Sequence, residues 1–259
     1  MKFTDKQIDN LFKSIYEGLI TVDNLPEDLY FAIAGYIKRG LYEGFGGTLS
    51  DFEFGGTDYE LLNELRTNTY LFSGAKTYQQ VREFSSFVAD SKTFKDFYEQ
   101  AQKTYEQYNV DWAKAEYNTA IGQAQSAKAW NGFEENKELF PLLRYSAVMD
   151  ANTSDICRPL DGIIRPVDDP FWNVHAPLNH FNCRCLLEKI DKYEGAKQSS
   201  DARIKQAAKE MDEKMDDTFK MNPGKDGYIF SPAHPYFDVA KGDKTLARNN
   251  FNLPIPEKD

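Results

Sequence analysis

All three cysteines and two of the three histidines of this chain lie between residues 157 and 185: Cys157, His175, His180, Cys183 and Cys185. Thiolates and imidazoles are the donors that tetrahedral structural zinc prefers, and four of them close such a site. The spacing points to Cys157, His180, Cys183 and Cys185 as the set, with His175 as the alternate imidazole. Cys183 and Cys185 are expected on one face of a strand, because side chains two apart point the same way. Cys157 belongs to a separate loop that could close over that face. The spacing follows no standard zinc-finger pattern, so ordinary buried or free thiols stay open beside the metal reading, and a disulfide is a third alternative.

A second chemistry is conceivable from the same window. His175 or His180 could act with Asp155, Asp161, Asp168 or Asp169 as a hydrolytic centre. The sequence has no HExxH pair, no nucleophile elbow and no phosphate-binding glycine loop. Aspartates in loops more often cap helices and close turns, and Asp161-Gly162 reads as a turn between strands. The expectation is therefore a protein that is not an enzyme, with a zinc-dependent hydrolase or nuclease as the alternative.

The elements that must position these residues change character along the chain. After Pro26 there is no proline until Pro141, whereas nine more follow Pro141. Proline disrupts helix interiors, so the proline-free stretch permits long helices. Thr4 with Gln7 has capping-box spacing, and Ile8, Leu11, Phe12, Ile15 and Leu19 then share a helical face. A second helix is expected from Pro26 until Gly44, Gly46 and Gly47 stop it. Thr57 with Glu60 repeats the capping spacing, and a further helix is expected after Gly74, carrying Tyr78, Val81, Phe84 and Phe87. From Thr93 to Trp130 the stripe Phe94, Phe97, Tyr105, Tyr108, Trp112 and Tyr117 is helical, with a break near Asn109, and reads as core packing.

Beyond Leu139 the segments LLRYSAVM, GIIRPV and CRCLLEKI read as short strands joined by ordered loops. Residues 191–220 look helical and solvated, and the last forty or so, rich in Pro and Gly, read as an extended arm or irregular strands. The fold class is thus α+β. A mainly helical region over 1–92 precedes a small, loop-rich domain over 93–190 that zinc could stabilise, then a charged helix and Pro/Gly-rich arm over 191–259.

Composition bounds the function. Apolar residues make up 41% and aromatics 14% of 259 residues, which supports a packed core. The formal charge of −10 disfavours a protein that coats nucleic acid, since that affinity rests on clustered Lys and Arg. The N-terminus lacks a continuous apolar h-region and no stretch reaches the length of a membrane span, so a soluble protein without a classical export signal is expected.

The segment from Tyr145 to Cys185 resembles the phage Mu F-like head morphogenesis family. The corresponding elements are Tyr145–Asp150, then Cys157-Arg158 with Leu160-Asp161-Gly162, then Asp169-Pro170-Phe171-Trp172, and a closing Pro177-x-x-His180-x-x-Cys183-Arg184-Cys185. Glu116 to Trp130 looks like the family's leading helix, and Asn222-Pro223-Gly224 with His234-Pro235-Tyr236 like its trailing segment. The resemblance implies a structural minor capsid protein of a tailed phage, acting in head morphogenesis and in DNA packaging or delivery. The partners it implies are portal, capsid or scaffold proteins, with contact to packaged DNA left open and no membrane involved. It also implies several copies at a vertex, in the virion head at the portal or capsid interior, after assembly in the host cytoplasm. A toxin-related, host-directed binding module is the alternative from the same domain.

Overall fold

The computed structural model describes residues 3–257. The chain divides into two compact units: one of residues 1–39, 67–117 and 234–259, the other of residues 40–66 and 118–233.

The first unit is helical, and three of its helices include residues that belong to the second. Thr4 caps α1 (Asp5–Tyr16) through the reciprocal Thr4–Gln7 box, which satisfies two amides that a helix start would leave unpaired. Helix α2 (Glu27–Phe45) begins just after Pro26. The expected break at Gly74 is absent, because α3 runs unbroken from Thr57 to Asp90. Gly74 is there for closeness: a Cβ would strike the Asn250 side chain of the same unit. The second capping box is also displaced. Thr57 is itself the first residue of α3, and its hydroxyl donates to Glu135.

Helix α4 (Phe94–Glu106), capped by a Thr93–Asp96 box, passes through a π-helical turn at Gln107–Asp111 into α5 (Trp112–Glu135). The aromatic stripe is core. Phe12 is fully buried, with the rings of Phe84, Phe97, Tyr98 and Tyr105 standing edge-on to it at 5.2–6.1 Å between centroids. At the unit's centre Lys76 is buried, donating to the Tyr108 carbonyl (2.6 Å) and to Glu116 (2.5 Å). The other Glu116 oxygen accepts the Tyr236 hydroxyl at 2.9 Å. Residues 234–257 form short helical turns, including α9 below, where strands were one expectation.

The second unit holds an antiparallel sheet of order β2-β1-β3. Strand β1 (Leu142–Ser146) is central, paired on one side with β2 (Ile164–Pro166) and on the other with β3 (Leu186–Ile190). Leu143 and Tyr145 of β1 are fully buried and pack with Trp130, Leu160, Ile163, Val167 and Trp172. The short α6 (Trp172–His175) and α7 (Asp201–Asp212) close this core, Met211 of α7 being fully buried. Helicity after residue 190 is thus narrower than the sequence suggests. A one-turn α8 (Pro223–Asp226) follows in this unit, and α9 (Lys244–Arg248) belongs to the first.

Close approach of backbones holds the second unit together. A Cβ at Gly44 would overlap the backbone of Ile121, one at Gly122 the Leu178 side chain, and one at Gly224 the Trp130 side chain. Interiors are packed as densely as organic crystals, so these contacts leave no room to add an atom.

Candidate metal centre

Two irregular segments of the second unit meet beside the end of β1. The first leaves Ser146 and loops to residue 160. Asp161 accepts the Ala147 amide at 3.0 Å, and Asp150 is gripped by both guanidinium nitrogens of Arg184 at 2.8 and 2.7 Å. That pairing holds the Asp150 carboxyl down at about 2, the Arg184 bonds being the largest cause. At the loop's end the Cys157 amide donates to Ser154, which turns the thiol inward to full burial.

The second segment follows α6. Asn179, fully buried, donates to the Ala176 carbonyl (3.0 Å) and accepts the hydroxyl of Tyr145 (2.7 Å), fixing the chain against the central strand. A β-turn follows, closed by the Cys183 amide on the His180 carbonyl at 3.2 Å. Asn182 supplies the left-handed residue, with φ of 57°, a conformation Asn tolerates better than most side chains. Cys183 and Cys185 therefore precede β3 and do not lie within a strand, which corrects the expectation from alternation. The tight turn, with no strand involved, brings His180 next to Cys183.

The turn and the loop gather their donors. Cys157 and Cys183 sulfurs stand 3.7 Å apart, and one ligand atom each from Cys157, His180 and Cys183 lies within 4.8 Å of the others. Cys185, half-buried, lines the same small cavity as Cys157 and His180. The imidazole Nδ1 of His180 lies 2.8 Å from the Phe181 carbonyl and donates to it, which leaves the Nε2 lone pair free.

Three thiols in one small volume cannot ionise independently. The neighbouring thiols, Cys157 first and then Cys185, lower the pKa of Cys183 against the opposing effect of burial. Cys157 is driven far up by Cys183 and Cys185 and by burial. For Cys185 the effect of Cys157 lowers the pKa, but Cys183 and burial outweigh it and leave it raised. Burial, with the nearby thiols, also lifts the Tyr145 hydroxyl well above its usual range.

The other residues singled out in the sequence are elsewhere engaged. His175 stacks on Phe171 at 4.4 Å, with Nδ1 on the Phe171 carbonyl (2.9 Å) and Nε2 on Asp212 (3.2 Å). Asp155 faces Arg158 and Asp168 faces Lys137, while Asp169 accepts from Arg165 and from the Phe171 amide. With Asp161 on the Ala147 amide, each of the four carboxylates has a structural partner. The residues that sequence reasoning missed are Tyr145, Asn179 and the Asp150–Arg184 pair. Only the position of Asn179 beside His180, and of Arg184 between two cysteines, could have marked them.

Comparison with known proteins follows the same segment. Residues 88–188 match the family model described as phage Mu protein F like protein. The chain is 34% identical over 83 residues to the "Putative capsid assembly protein F" of Escherichia phage Mu, covering 32% of this chain and 17% of that protein. It is 37% identical over 78 residues to the "Mu-like prophage FluMu F protein" of Haemophilus influenzae, covering 30% of this chain and 18% of that protein. The matched stretch thus spans less than a fifth of either relative. No solved structure matches.

Proposed function

Because residues 88–188 match the family model of phage Mu protein F like protein, we propose that this protein is a structural component of phage head assembly, a minor capsid protein acting at or near the portal. The observation that carries the reading is the similarity of the matched stretch to a relative named for capsid assembly. The loops of the 142–190 region are held by structural bonds: Asp161, Asp168 and Asp169 each fix backbone or a cation. A surface with a formal charge of −10 favours contacts with proteins over contacts with phosphate. Portal, capsid or scaffold proteins are the partners, packaging or delivery of DNA is the process served, and the virion head is the location.

The test is a phage lacking the gene, together with affinity purification of the tagged protein from infected cells. Defective heads beside normal tails, and co-purification with portal protein or heads, are the expected results. Fully infectious particles without the protein, or a shell coated on its exterior by hundreds of copies as an order-of-magnitude contrast with a vertex ring, would overturn it.

A further inference from the structure

We propose that Cys157, His180, Cys183 and Cys185 bind one zinc ion in a closed, tetrahedral and purely structural site that pins the loop 147–157 and the segment 176–185 to the end of β1. The proposal concerns this unit alone and stands whether or not the protein serves head assembly.

Geometry comes first. Zinc–sulfur bonds of about 2.3 Å place two sulfurs of a tetrahedral site about 3.8 Å apart. Cys157 and Cys183 stand at 3.7 Å, so the site is already spaced for the metal along that edge. A disulfide needs about 2.05 Å between sulfurs. Pairing these two would leave unused the third thiol, Cys185, which lines the same cavity as Cys157 and His180. The imidazole needs a small adjustment: a ring nitrogen lies within 4.8 Å of both sulfurs and would move in by up to about an ångström to reach a zinc–nitrogen bond of about 2.0–2.1 Å.

The hydrogen bonds behind the ligands have the form that metal sites use. A ligating histidine commonly donates its other ring nitrogen to a carbonyl or carboxylate, which fixes ring and tautomer. Nδ1 of His180 does this on Phe181, leaving Nε2 as the ligand atom. The Asn179–Tyr145 bond and the Asp150–Arg184 pair brace the two segments from which the ligands come. Three thiolates and one imidazole form a soft set that suits zinc, whereas iron–sulfur clusters usually take four cysteines. With four protein donors no position remains for water, so the metal is assigned a structural role and no catalytic one.

The chemistry of binding balances simply. Zinc enters as the dication, each coordinating thiol gives up its proton to solvent, and the three thiolates leave a site of net charge −1. No oxidant or reductant takes part.

The test uses the full chain purified without chelator in the presence of a thiol reductant. About one equivalent of zinc by elemental analysis is expected. Cobalt exchanged for it should give intense visible d–d bands and a thiolate-to-cobalt charge-transfer band, which report a tetrahedral, sulfur-rich site. His180→Ala should lose metal to a competing chelator under conditions where the parent keeps it, and His180→Cys should restore retention; His175→Ala should retain metal like the parent. Because the variants could simply misfold, amide hydrogen exchange of residues 147–185 in the parent, with and without chelator, gives a second reading: protection should fall on metal removal and return on adding zinc. Protein that is folded, metal-free and equally protected in both conditions would overturn the proposal. So would loss of metal in His175→Ala with retention in His180→Ala, or a Cys157–Cys183 disulfide in the reduced preparation.

Discussion

Each unit of the molecule buries a polar cluster, and the two are completed in opposite ways. In the helical unit the cation belongs to the chain. Lys76 sits between the carbonyl of Tyr108 and the carboxylate of Glu116, whose other oxygen takes the Tyr236 hydroxyl, so donors and acceptors, positive and negative, are all present. Burial lowers the pKa of Lys76, and Glu116 opposes that shift. In the sheet-bearing unit the gathered side chains are all electron-pair donors: two thiols and an imidazole, with the thiol of Cys185 lining the same cavity. Arg184, the guanidinium next to them in sequence, is spent on Asp150. A buried ion pair that closes on itself explains itself, whereas donors of one kind, brought together at the cost of ordering two loops, call for a partner supplied from solution.

The largest expected effect breaks the self-sufficient cluster. Lys76→Met leaves the Glu116 carboxylate buried without its cation and should cost about 3–5 kcal/mol in chemical denaturation. Adding Glu116→Gln to that variant should return a large part of the loss, because the uncompensated charge is gone. A Lys76→Met protein as stable as the parent would show that the pair contributes nothing.

Packing in the other unit is tested by Gly224→Ala, whose new Cβ would overlap Trp130. Overpacking of this kind should cost about 1–3 kcal/mol and lower the thermal midpoint. Chelation with 1,10-phenanthroline is the contrasting perturbation. It should reduce hydrogen-exchange protection in 147–185 and leave the amides around Lys76 unchanged, which separates the cluster that contains its cation from the one that borrows it. Equal loss in both would end the comparison.

The smallest effect lies at the exposed Asp150–Arg184 pair. The folded carboxyl is held at about 2, below the ordinary carboxylate range near 4. A depressed folded pKa contributes stability above the unfolded value, and that contribution disappears as pH falls through about 2. Asp150→Asn should therefore narrow the difference in stability between pH 5 and pH 2 slightly, measured by urea midpoints. The pair is solvent-exposed, so its effect should be the least of the four.

Some of this was legible in the sequence and some was not, for definite reasons. The Thr4–Gln7 box was readable because capping is local, fixed by residues three apart. The three strands were found by alternation and turn residues, though shorter than the apolar runs suggested. Gly74 misled because its conformational signal is that of a breaker, while its actual use is to admit Asn250 from a segment distant in sequence. The cluster's residue types were visible, but its assembly was not. Strand alternation suggested that Cys183 and Cys185 align, whereas the left-handed turn at Asn182 sets His180 against Cys183. Nothing local to His175 distinguishes it from His180; only the partners Phe171 and Asp212 do.

The π-helical turn at Gln107–Asp111 makes chain length at that point part of the molecule's wiring. A π turn is an α-helix with one residue inserted, and each residue of an α-helix advances the rotation by about 100°. Deleting a single residue there, such as the exposed Val110, would relax the turn to ordinary α-helix and rotate everything after it relative to α4 by that amount. Glu116 would then face away from Lys76, and the Tyr108 carbonyl that accepts from the same ammonium would be tied back into the helix. Helical phase, set by one surplus residue, is what lets a lysine and a glutamate forty positions apart meet. Insertions and deletions between 107 and 111 should accordingly be selected against far more strongly than substitutions of the exposed residues they carry.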